Sequence, residues 1–187
     1  AKVLGLANAS GDTINTIKAA REFGLHRSMK IAALLMSSTD IHGLGLESGQ
    51  GLLLTEAFYW DLNDRTRRLS ARARPRNQDR PPSQVPAGCY GVSLHYLKAV
   101  ADMGVAAAKA DGRAAVDRMK AMPTDDDAFG PGRIREDGRK LHPVYLFQVK
   151  TPAESRGPWD YYNVVSTTPA EEAFRPLSEG GCPLVRS

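Results

Sequence analysis

The sequence predicts an α/β fold built on a parallel sheet, because short apolar runs alternate with amphipathic helical patterns. The apolar runs cover residues 2–7, 30–36 and 51–59. The second run is continuously apolar, which is typical of a strand covered on both faces. Short connections join the runs, first through a helix and then through a turn and a short helix. This order favours parallel strands with right-handed crossovers.

The first connection is predicted to be a helix that begins at its N-cap, Asp12, and ends at Gly24, a residue suited to the left-handed conformation that follows a helix. Its apolar residues recur at helical spacing: Ile14, Ile17, Ala20 and Phe23. The second connection is predicted to be a polar turn at 37–40, followed by a short helix within 41–48.

The middle of the chain is predicted to be helical at 62–74, 89–103 and 112–122, with a proline-containing loop at 75–86. Apolar residues at helical spacing form the expected buried stripe of the second helix: Tyr90, Leu94, Leu97, Val100 and Ala101. The third helix has a similar expected stripe: Ala115, Val116, Met119 and Met122. Since no strand separates these two helices, we expect them to pack on a sheet that their own segment does not supply.

The last third of the chain returns to strand patterns. Asp137 and Gly138 form a tight-turn pair. Strands are predicted at 144–149 and 159–166. The polar residues 167–187 lack periodicity, so we expect this tail to lie over the surface.

The composition is that of a globular chain, with 187 residues of which 42% are hydrophobic and 25% charged, and a formal net charge of +4. No apolar stretch is long enough to span a membrane. Much of the positive charge lies in the arginines between residues 65 and 80. Because this segment lacks interleaved aromatic residues and any base-reading motif, we interpret it as a solvated helix face and loop and predict no nucleic-acid partner.

The cysteines and histidines predict neither a metal site nor a cofactor. Cys89 and Cys182 have no metal-ligand spacing, and the four histidines are scattered. Two independent thiols are the favoured interpretation, and a disulfide in an oxidising compartment is the alternative. No nucleophile elbow, catalytic triad or phosphate-binding loop is present, so no catalytic residue is predicted.

Three loops follow the predicted strands, at 8–12, 37–40 and 59–64. Ligands of parallel α/β sheets bind outside the carboxyl ends of the strands, and helix N-termini there suit anions. We therefore expect a small-molecule site at these loops, with exposed aromatic side chains at Tyr59 and Trp60.

Simpler interpretations of the same residues remain. Residues 8–12 can be only a turn and a helix cap. Asp40 and His42 suggest an acid–base pair, but residues in a turn more often cap a helix and bond locally. Asp61 and Asp64 suggest a metal or acid–base site, but they are more typical of first-turn acids that complement the helix dipole.

Six segments, in order, resemble the later half of the ABC-transporter solute-binding proteins of the branched-chain amino-acid type, the type I periplasmic binding proteins. They read GLANASGDTINTIKAAREFGL, KIAALLM, GQGLLLTEAFYWDLND, AGCYGVSLHYLKAVADMG, GRIREDGRKLHPVYLFQVK and FRPLSEGGCPLV. The resemblance covers nearly the whole chain, and the combination is far more specific than any one motif.

The resemblance implies two α/β lobes that are joined by a hinge and close on a ligand. Residues 1–61 would form the first part of the C-terminal lobe. Residues 62–142 would cross the hinge and add helices of the N-terminal lobe, residues 143–167 would return, and residues 168–187 would form a tail. The export signal and most of the N-terminal lobe would lie outside this sequence, which enters a strand pattern at its first residues.

The resemblance also implies a set of ligand-binding residues: Asn8, Ser10, Gly11, Ser38, Thr39, Asp40, Gln50 and Tyr90. In amino-acid binders an acidic residue just before the Gly-led apolar strand receives the ammonium group of the ligand, and here Gln50 matches that position. A neutral amide cannot balance a desolvated ammonium. Gln50 therefore favours a ligand without a cationic amine, such as an aromatic or aliphatic carboxylate, over an amino acid.

The expected function is that of a periplasmic, non-enzymatic solute-binding component that delivers a small molecule to the membrane subunits of an ABC permease. Lobe closure around the ligand would be its mechanism. A sensory or regulatory module of the same fold is one alternative. An α/β enzyme that uses Asp40 and His42 is another.

Overall fold

The computed structural model describes residues 1–183 and 185. The strands are β1 (Val3–Leu6), β2 (Lys30–Ala33), β3 (Leu53–Glu56), β4 (Thr124–Asp126), β5 (Gly130–Ile134), β6 (Lys140–Leu141), β7 (Val144–Val149) and β8 (Tyr162–Thr168). The helices are α1 (Ser10–Glu22), α2 (Ser38–Leu44), α3 (Leu46–Gly49), α4 (Asp64–Ala73), α5 (Gln84–Met103), α6 (Val105–Ala110) and α7 (Gly112–Ala121).

The larger sheet has five strands in the order β1-β2-β3-β7-β8. β1, β2 and β3 run parallel, which confirms the predicted parallel sheet. β7 pairs with β3 in antiparallel register, and β8 pairs antiparallel with β7. The chain therefore leaves this sheet after β3 and returns to it at β7.

The main core lies on this sheet. Phe147, Leu54 and Val149 are each at most 2% exposed and come from its centre. Ile17 of α1 and Ile41 of α2 are at most 1% exposed and pack into the same cluster. Burial of such apolar side chains contributes roughly 1.5–3 kcal/mol each, so these helices are held to the sheet mainly by packing.

A second sheet corrects the expectation that the middle segment supplies none. β4, β5 and β6 form a three-stranded antiparallel sheet directly after α7. The predicted turn at Asp137 and Gly138 connects β5 to β6, with Gly138 at φ +85° and its amide bonded to the Arg135 carbonyl. Sequence patterns missed β4 because its acidic residues do not alternate as a half-buried strand normally does.

The predicted buried stripe of α5 is wrong. The residues that α5 buries are Ala87, Gly91, His95 and Ala99, at successive helical turns. Leu97 is 61% exposed and Ala101 is also exposed. The reason is close packing: Gly91 lies so near Asp126 that an added Cβ would be 3.1 Å from its carboxylate. Small residues, not the largest apolar ones, let the helix approach its neighbours.

The third strand is shorter than predicted, and the aromatic residues after it are not exposed. β3 ends at Glu56, and Tyr59 is only 4% exposed. The Tyr59 hydroxyl donates to the Trp159 carbonyl at 2.7 Å, and Trp60 Nε1 donates to the same oxygen at 2.7 Å. These bonds hold both rings against the chain that precedes β8.

Two predicted helix starts also differ. α1 begins at Ser10 after Ala9, so Asp12 lies in the first turn and is not the cap. Residues 37–40 are not a free turn, because α2 begins at Ser38. Asp40 Oδ2 accepts hydrogen bonds from the amide and the hydroxyl of Ser37, at 2.8 and 3.0 Å.

The arginine-rich segment pairs with carboxylates of the chain itself. The pairs are Arg65 with Asp125 and Asp127, Arg67 with Asp61 and Asp64, Arg72 with Asp127, and Arg74 with Asp79. Most of these side chains are substantially exposed, so each pair stabilises the fold little. Asp61 and Asp64 therefore serve as arginine partners at the start of α4.

Candidate functional site

The carboxyl ends of β1, β2 and β3 meet at one edge of the larger sheet, because these strands are parallel. We call this edge the carboxyl edge. A cavity of about 550 Å³ opens there between the end of β3 and the first half of α5. Its walls include Glu56, the last residue of β3, and Ala57, which follows it. Val85, Gly88 and Cys89 of α5 form the facing wall.

Glu56 is the most unusual residue of this edge. It is the last residue of β3 and only 2% exposed, and its Oε1 atom has no hydrogen-bond partner among the described residues. Burial, reinforced by the negative charge of Asp40, raises the pKa of Glu56 well above its ordinary value. Glu56 is therefore a candidate for a neutral carboxyl group at neutral pH.

Tyr162 of β8 lies beside Glu56. It is 4% exposed, and its proximity partly offsets the rise in the pKa of Glu56. Its hydroxyl has no hydrogen bond of ordinary geometry to the described residues. Burial and the nearby Glu56 also raise the pKa of Tyr162 well above its usual range. Two polar groups without full satisfaction inside a core are costly, which makes this place a candidate site.

Asp40 lies in the first turn of α2, close enough for its charge to act on Glu56. Its carboxylate is held by the two bonds from Ser37, so its position is fixed before any ligand arrives. Ser38 is 2% exposed, whereas the neighbouring Thr39 is exposed and its hydroxyl lies 2.8 Å from the Ser37 hydroxyl.

The loop after β1 presents main-chain donors rather than a free side chain. The Asn8 amide is engaged with α1: Nδ2 donates to Thr16 at 2.9 Å, and Oδ1 accepts from Thr13 at 2.9 Å. Ser10 and Gly11 are exposed, and no side chain caps α1. The first amides of α1 are therefore free to bind an anion.

The structure thus brings most of the predicted residues to one edge. Asn8, Ser10 and Gly11 follow β1, and Ser38, Thr39 and Asp40 follow β2. Leu34 and Leu35, also after β2, are 66% and 60% exposed and add an apolar surface beside these polar groups.

Gln50 does not join this group, which corrects its predicted place. It precedes β3, so it lies at the opposite, amino edge of the sheet. Its side-chain Nε2 donates to the main-chain carbonyl of Glu47 at 3.0 Å. The main-chain carbonyl of Gln50 accepts from Arg21 Nη2 at 2.5 Å. The interpretation that Gln50 selects the ligand therefore loses its structural basis, because a strand of four residues separates Gln50 from the carboxyl edge.

Tyr90 also lies away from the cavity. It is half-buried and packs against a second core cluster formed by Phe58, Leu69, Ala87 and Ala128. Gly88, which does line the cavity, is two residues earlier. Two residues on an α-helix differ in direction by roughly 200°, so Tyr90 points to the other side of α5.

His42 does not form the suggested acid–base pair with Asp40. Its Nδ1 lies 2.7 Å from the Tyr161 hydroxyl, and its ring stacks on Trp159 with centroids 4.1 Å apart. Trp159 has φ +72°, an uncommon conformation for a residue with a side chain. His42 therefore braces the segment before β8, and the enzyme alternative has no supporting contact.

Several further features bear on function. Among residues 1–183 and 185, no group of His, Cys, Asp and Glu side chains could hold a metal ion. No helix of that part of the chain is long and apolar enough to cross a membrane. Cys89 and Cys182 are free thiols, so the independent-thiol interpretation is correct.

The family model described as "Periplasmic binding protein" matches residues 1–157. The chain belongs to the periplasmic binding protein family. Members of this family are solute-binding proteins and not enzymes, which agrees with the absence of a catalytic motif. The predicted family and the type I α/β fold are both confirmed.

Solved structures of other periplasmic binding proteins are similar to this chain. One from Burkholderia mallei is 45% identical, with a TM-score of 0.90, and the match covers 100% of this chain and 48% of that protein. A branched-chain amino acid ABC transporter periplasmic ligand-binding protein from Burkholderia xenovorans is 35% identical, with a TM-score of 0.83 and coverage of 98% and 48%.

A third structure, an amino acid ABC transporter substrate-binding protein from Pseudomonas fluorescens, is 22% identical, with a TM-score of 0.80 and coverage of 97% and 47%, and shows likeness of fold alone. The chain therefore spans about half the length of these relatives. No curated protein matches this periplasmic binding protein chain.

Sequence reasoning missed Glu56 and Tyr162. One signal was available for Glu56: it is the only charged residue of the run GLLLTEAFYW, and an acid in a buried strand needs a partner or a function. Tyr162 had no comparable signal, because only the pairing of β8 with β7 brings it near β3.

Proposed function

We propose that this protein is the solute-binding component of an ABC importer, located in the periplasm, and that it delivers an amino acid or a closely related compound to the permease. The observation that carries the ligand class is the buried acid Glu56 beside Asp40 at the carboxyl edge. The 35% identical relative from Burkholderia xenovorans, described as a branched-chain amino acid transporter component, supports the same class.

An amino group of the ligand would supply what Glu56 lacks. The Oε1 atom of Glu56 is buried without a partner, and an ammonium group offers three donors. A nearby cation also favours the charged form of a carboxyl group, which opposes the effect of burial. Binding of an amine would therefore satisfy the orphaned oxygen and stabilise ionised Glu56.

The remaining parts of an amino acid have partners at the same edge. The uncapped start of α1, at Ser10 and Gly11, suits a carboxylate. Leu34 and Leu35 offer apolar surface to an aliphatic side chain. With Gln50 at the opposite edge, its neutral side chain no longer argues against an amine. We therefore favour an amino acid over the amine-free carboxylate that Gln50 indicated.

Thermal-shift measurements with a matched ligand pair test this ligand class. Leucine and 4-methylpentanoate differ only in the α-amino group, and the protein to use is one that carries both lobes. We expect leucine or another amino acid to raise the melting temperature and 4-methylpentanoate to have little effect. Stabilisation by 4-methylpentanoate or aromatic acids, with none by amino acids, would overturn the proposed class.

The variant Glu56→Gln sharpens this test. Loss of a charge-assisted hydrogen bond costs about 1.5–3 kcal/mol, so Kd for the amino acid should rise about ten-fold or more. Glu47→Gln is the matched control, since Glu47 is exposed and lies before β3, at the amino edge of the sheet. Equal affinities for the parent protein and Glu56→Gln would remove Glu56 from the site.

Thiol labelling tests where the ligand binds. Cys89 is exposed and lines the cavity at the carboxyl edge, whereas Cys182 does not. In the two-lobed protein, we expect a bound solute to slow maleimide labelling of Cys89 and to leave Cys182 unchanged. Unaltered labelling of Cys89 at saturating solute would contradict the proposed location. We expect the 187-residue chain alone to bind the solute weakly, since it contributes one side of the cleft.

A further inference from the structure

A second cavity lies at the amino edge of the larger sheet, away from the carboxyl edge. Its volume is about 390 Å³, within the range of small-molecule sites. It lies between the last turn of α1, the start of β2 at Lys30 and the approach to β3 at Gln50 and Gly51. The four residues of β3 place it roughly 10 Å or more from the loops of the proposed solute site.

Basic groups without acidic partners line this cavity. Arg21, His26 and Lys30 contribute to its wall, and its lining contains no carboxylate. Among the described residues, none of the three forms an ion pair. This is unlike Arg65, Arg67 and Arg72 of α4, which pair with carboxylates. The cavity is therefore a local concentration of uncompensated positive charge.

Arg21 is only partly satisfied. One nitrogen, Nη2, donates to the Gln50 carbonyl at 2.5 Å. Its Nε atom is buried and has no hydrogen-bond partner among the described residues. Burial also lowers the pKa of Arg21, as it does for a cation that lacks a counter-charge. A guanidinium fork with a buried unused donor is suited to an oxyanion.

The rest of the lining limits the size and nature of that oxyanion. The floor is apolar and consists of Ile17, Ile31 and Leu52, each at most 5% exposed. Ser48 adds a hydroxyl at the wall. A group with a charged end toward Arg21 and a small apolar body toward the floor would match both surfaces, whereas a cation would meet like charge.

We propose that this cavity is a second binding site, specific for a small organic oxyanion such as a carboxylate or a phosphate ester, with Arg21 as its principal ligand. The site is independent of the proposed solute site. The main-chain carbonyl of Gln50 helps to hold the guanidinium in place.

Amide NMR of the two-lobed protein tests the proposal, with benzoate and inorganic phosphate as probes. Sodium chloride at equal ionic strength controls for simple screening. We expect saturable shifts at the amides of Gly51 and Leu52 with at least one probe and none with chloride. Shifts confined to Gly11 and Asp40 would assign the probe to the carboxyl edge and overturn the proposal, as would purely linear shifts.

Two variants and a matched control identify the ligand residue. Arg21→Gln should weaken binding about ten-fold or more, because a charge-assisted hydrogen bond is lost. Lys18→Gln removes an exposed charge from the same helix, outside the cavity, and should leave Kd unchanged. Arg21→Lys keeps the charge but not the forked pair of donors, and should bind the probe with intermediate affinity. This variant keeps the proposal testable if Arg21→Gln does not fold. Two results would overturn the role of Arg21. One is an equal Kd for the parent and Arg21→Lys, and the other is a loss of affinity in Lys18→Gln as large as that in Arg21→Gln.

Discussion

Replacement of Glu56 by Gln should stabilise the ligand-free protein at neutral pH. Glu56 is 2% exposed, and its pKa is raised well above the ordinary value of 4.5 by burial and by the charge of Asp40. The unfolded chain releases this proton at the ordinary pKa, whereas the folded chain retains it. Between these two pKa values the unfolded state therefore binds fewer protons, and the free energy of unfolding falls as pH rises.

The magnitude follows from this difference of one proton. The free energy of unfolding should fall by about 1.4 kcal/mol for each pH unit above 4.5, until the raised pKa is reached. Glu56→Gln has no proton to lose, so this part of the slope should disappear. The two proteins should have similar stability below pH 4.5, where Glu56 is protonated in both states, and should diverge above it.

Urea unfolding at several pH values measures this divergence, and the fluorescence of the two tryptophans provides the signal. Glu154→Gln is the control, because Glu154 should change the free energy of unfolding with pH in the opposite direction to Glu56. Hydrogen bonds from Thr151 lower the pKa of the exposed Glu154, so its contribution to stability is present above its ordinary pKa and lost as pH falls. If Glu56→Gln is no more stable than the parent between pH 5 and 7, then Glu56 is ionised in the folded state and the reasoning fails.

Two further substitutions test the framework around the site. Lys150→Met should destabilise the protein by about 1.5–3 kcal/mol, because it removes the ammonium that bonds the buried Asp160 carboxylate at 2.5 Å and leaves only Arg156 as a charged partner. Thermal unfolding measures the loss, and Arg113→Ala, in an exposed ion pair, should have little effect; similar losses would contradict this account. Gly132→Ala should destabilise by about 1–3 kcal/mol, because a Cβ would overlap a main-chain carbonyl of β6. The control is Gly5→Ala, which meets no atom within 4 Å and should be neutral or mildly stabilising; equal melting temperatures for the two variants would refute the overlap.

Local features of the fold could be predicted because neighbouring residues encode them. Helical periodicity placed α1, and Gly24 does adopt the left-handed conformation with φ +69°. The Asp137-Gly138 pair marked the turn of the second sheet for the same reason. Such signals depend on residues within one or two turns of each other, so no tertiary contact is needed to interpret them.

The candidate site was predicted only in part. The rule that ligands bind at the carboxyl ends of parallel strands located the loops at Ser10 and Asp40. Gln50 was predicted instead from the family resemblance. Because it precedes β3, it lies at the amino edge and not at the carboxyl edge. Tyr90 was also assigned by resemblance, whereas in the structure it packs against the second core cluster.

By itself, the sequence determined the α/β class, the parallel start of the sheet and the family, since each follows from local pattern or from the order of characteristic segments. Only the tertiary structure decided which side chains share an environment. Glu56 lies on β3 and Asp40 follows the neighbouring β2, whereas Tyr162 of β8 joins them because β7 and β8 return to the sheet that β3 leaves. Burial and charge act through space, so the raised pKa of Glu56 and the cationic cavity at Arg21 could not be inferred from spacing along the chain.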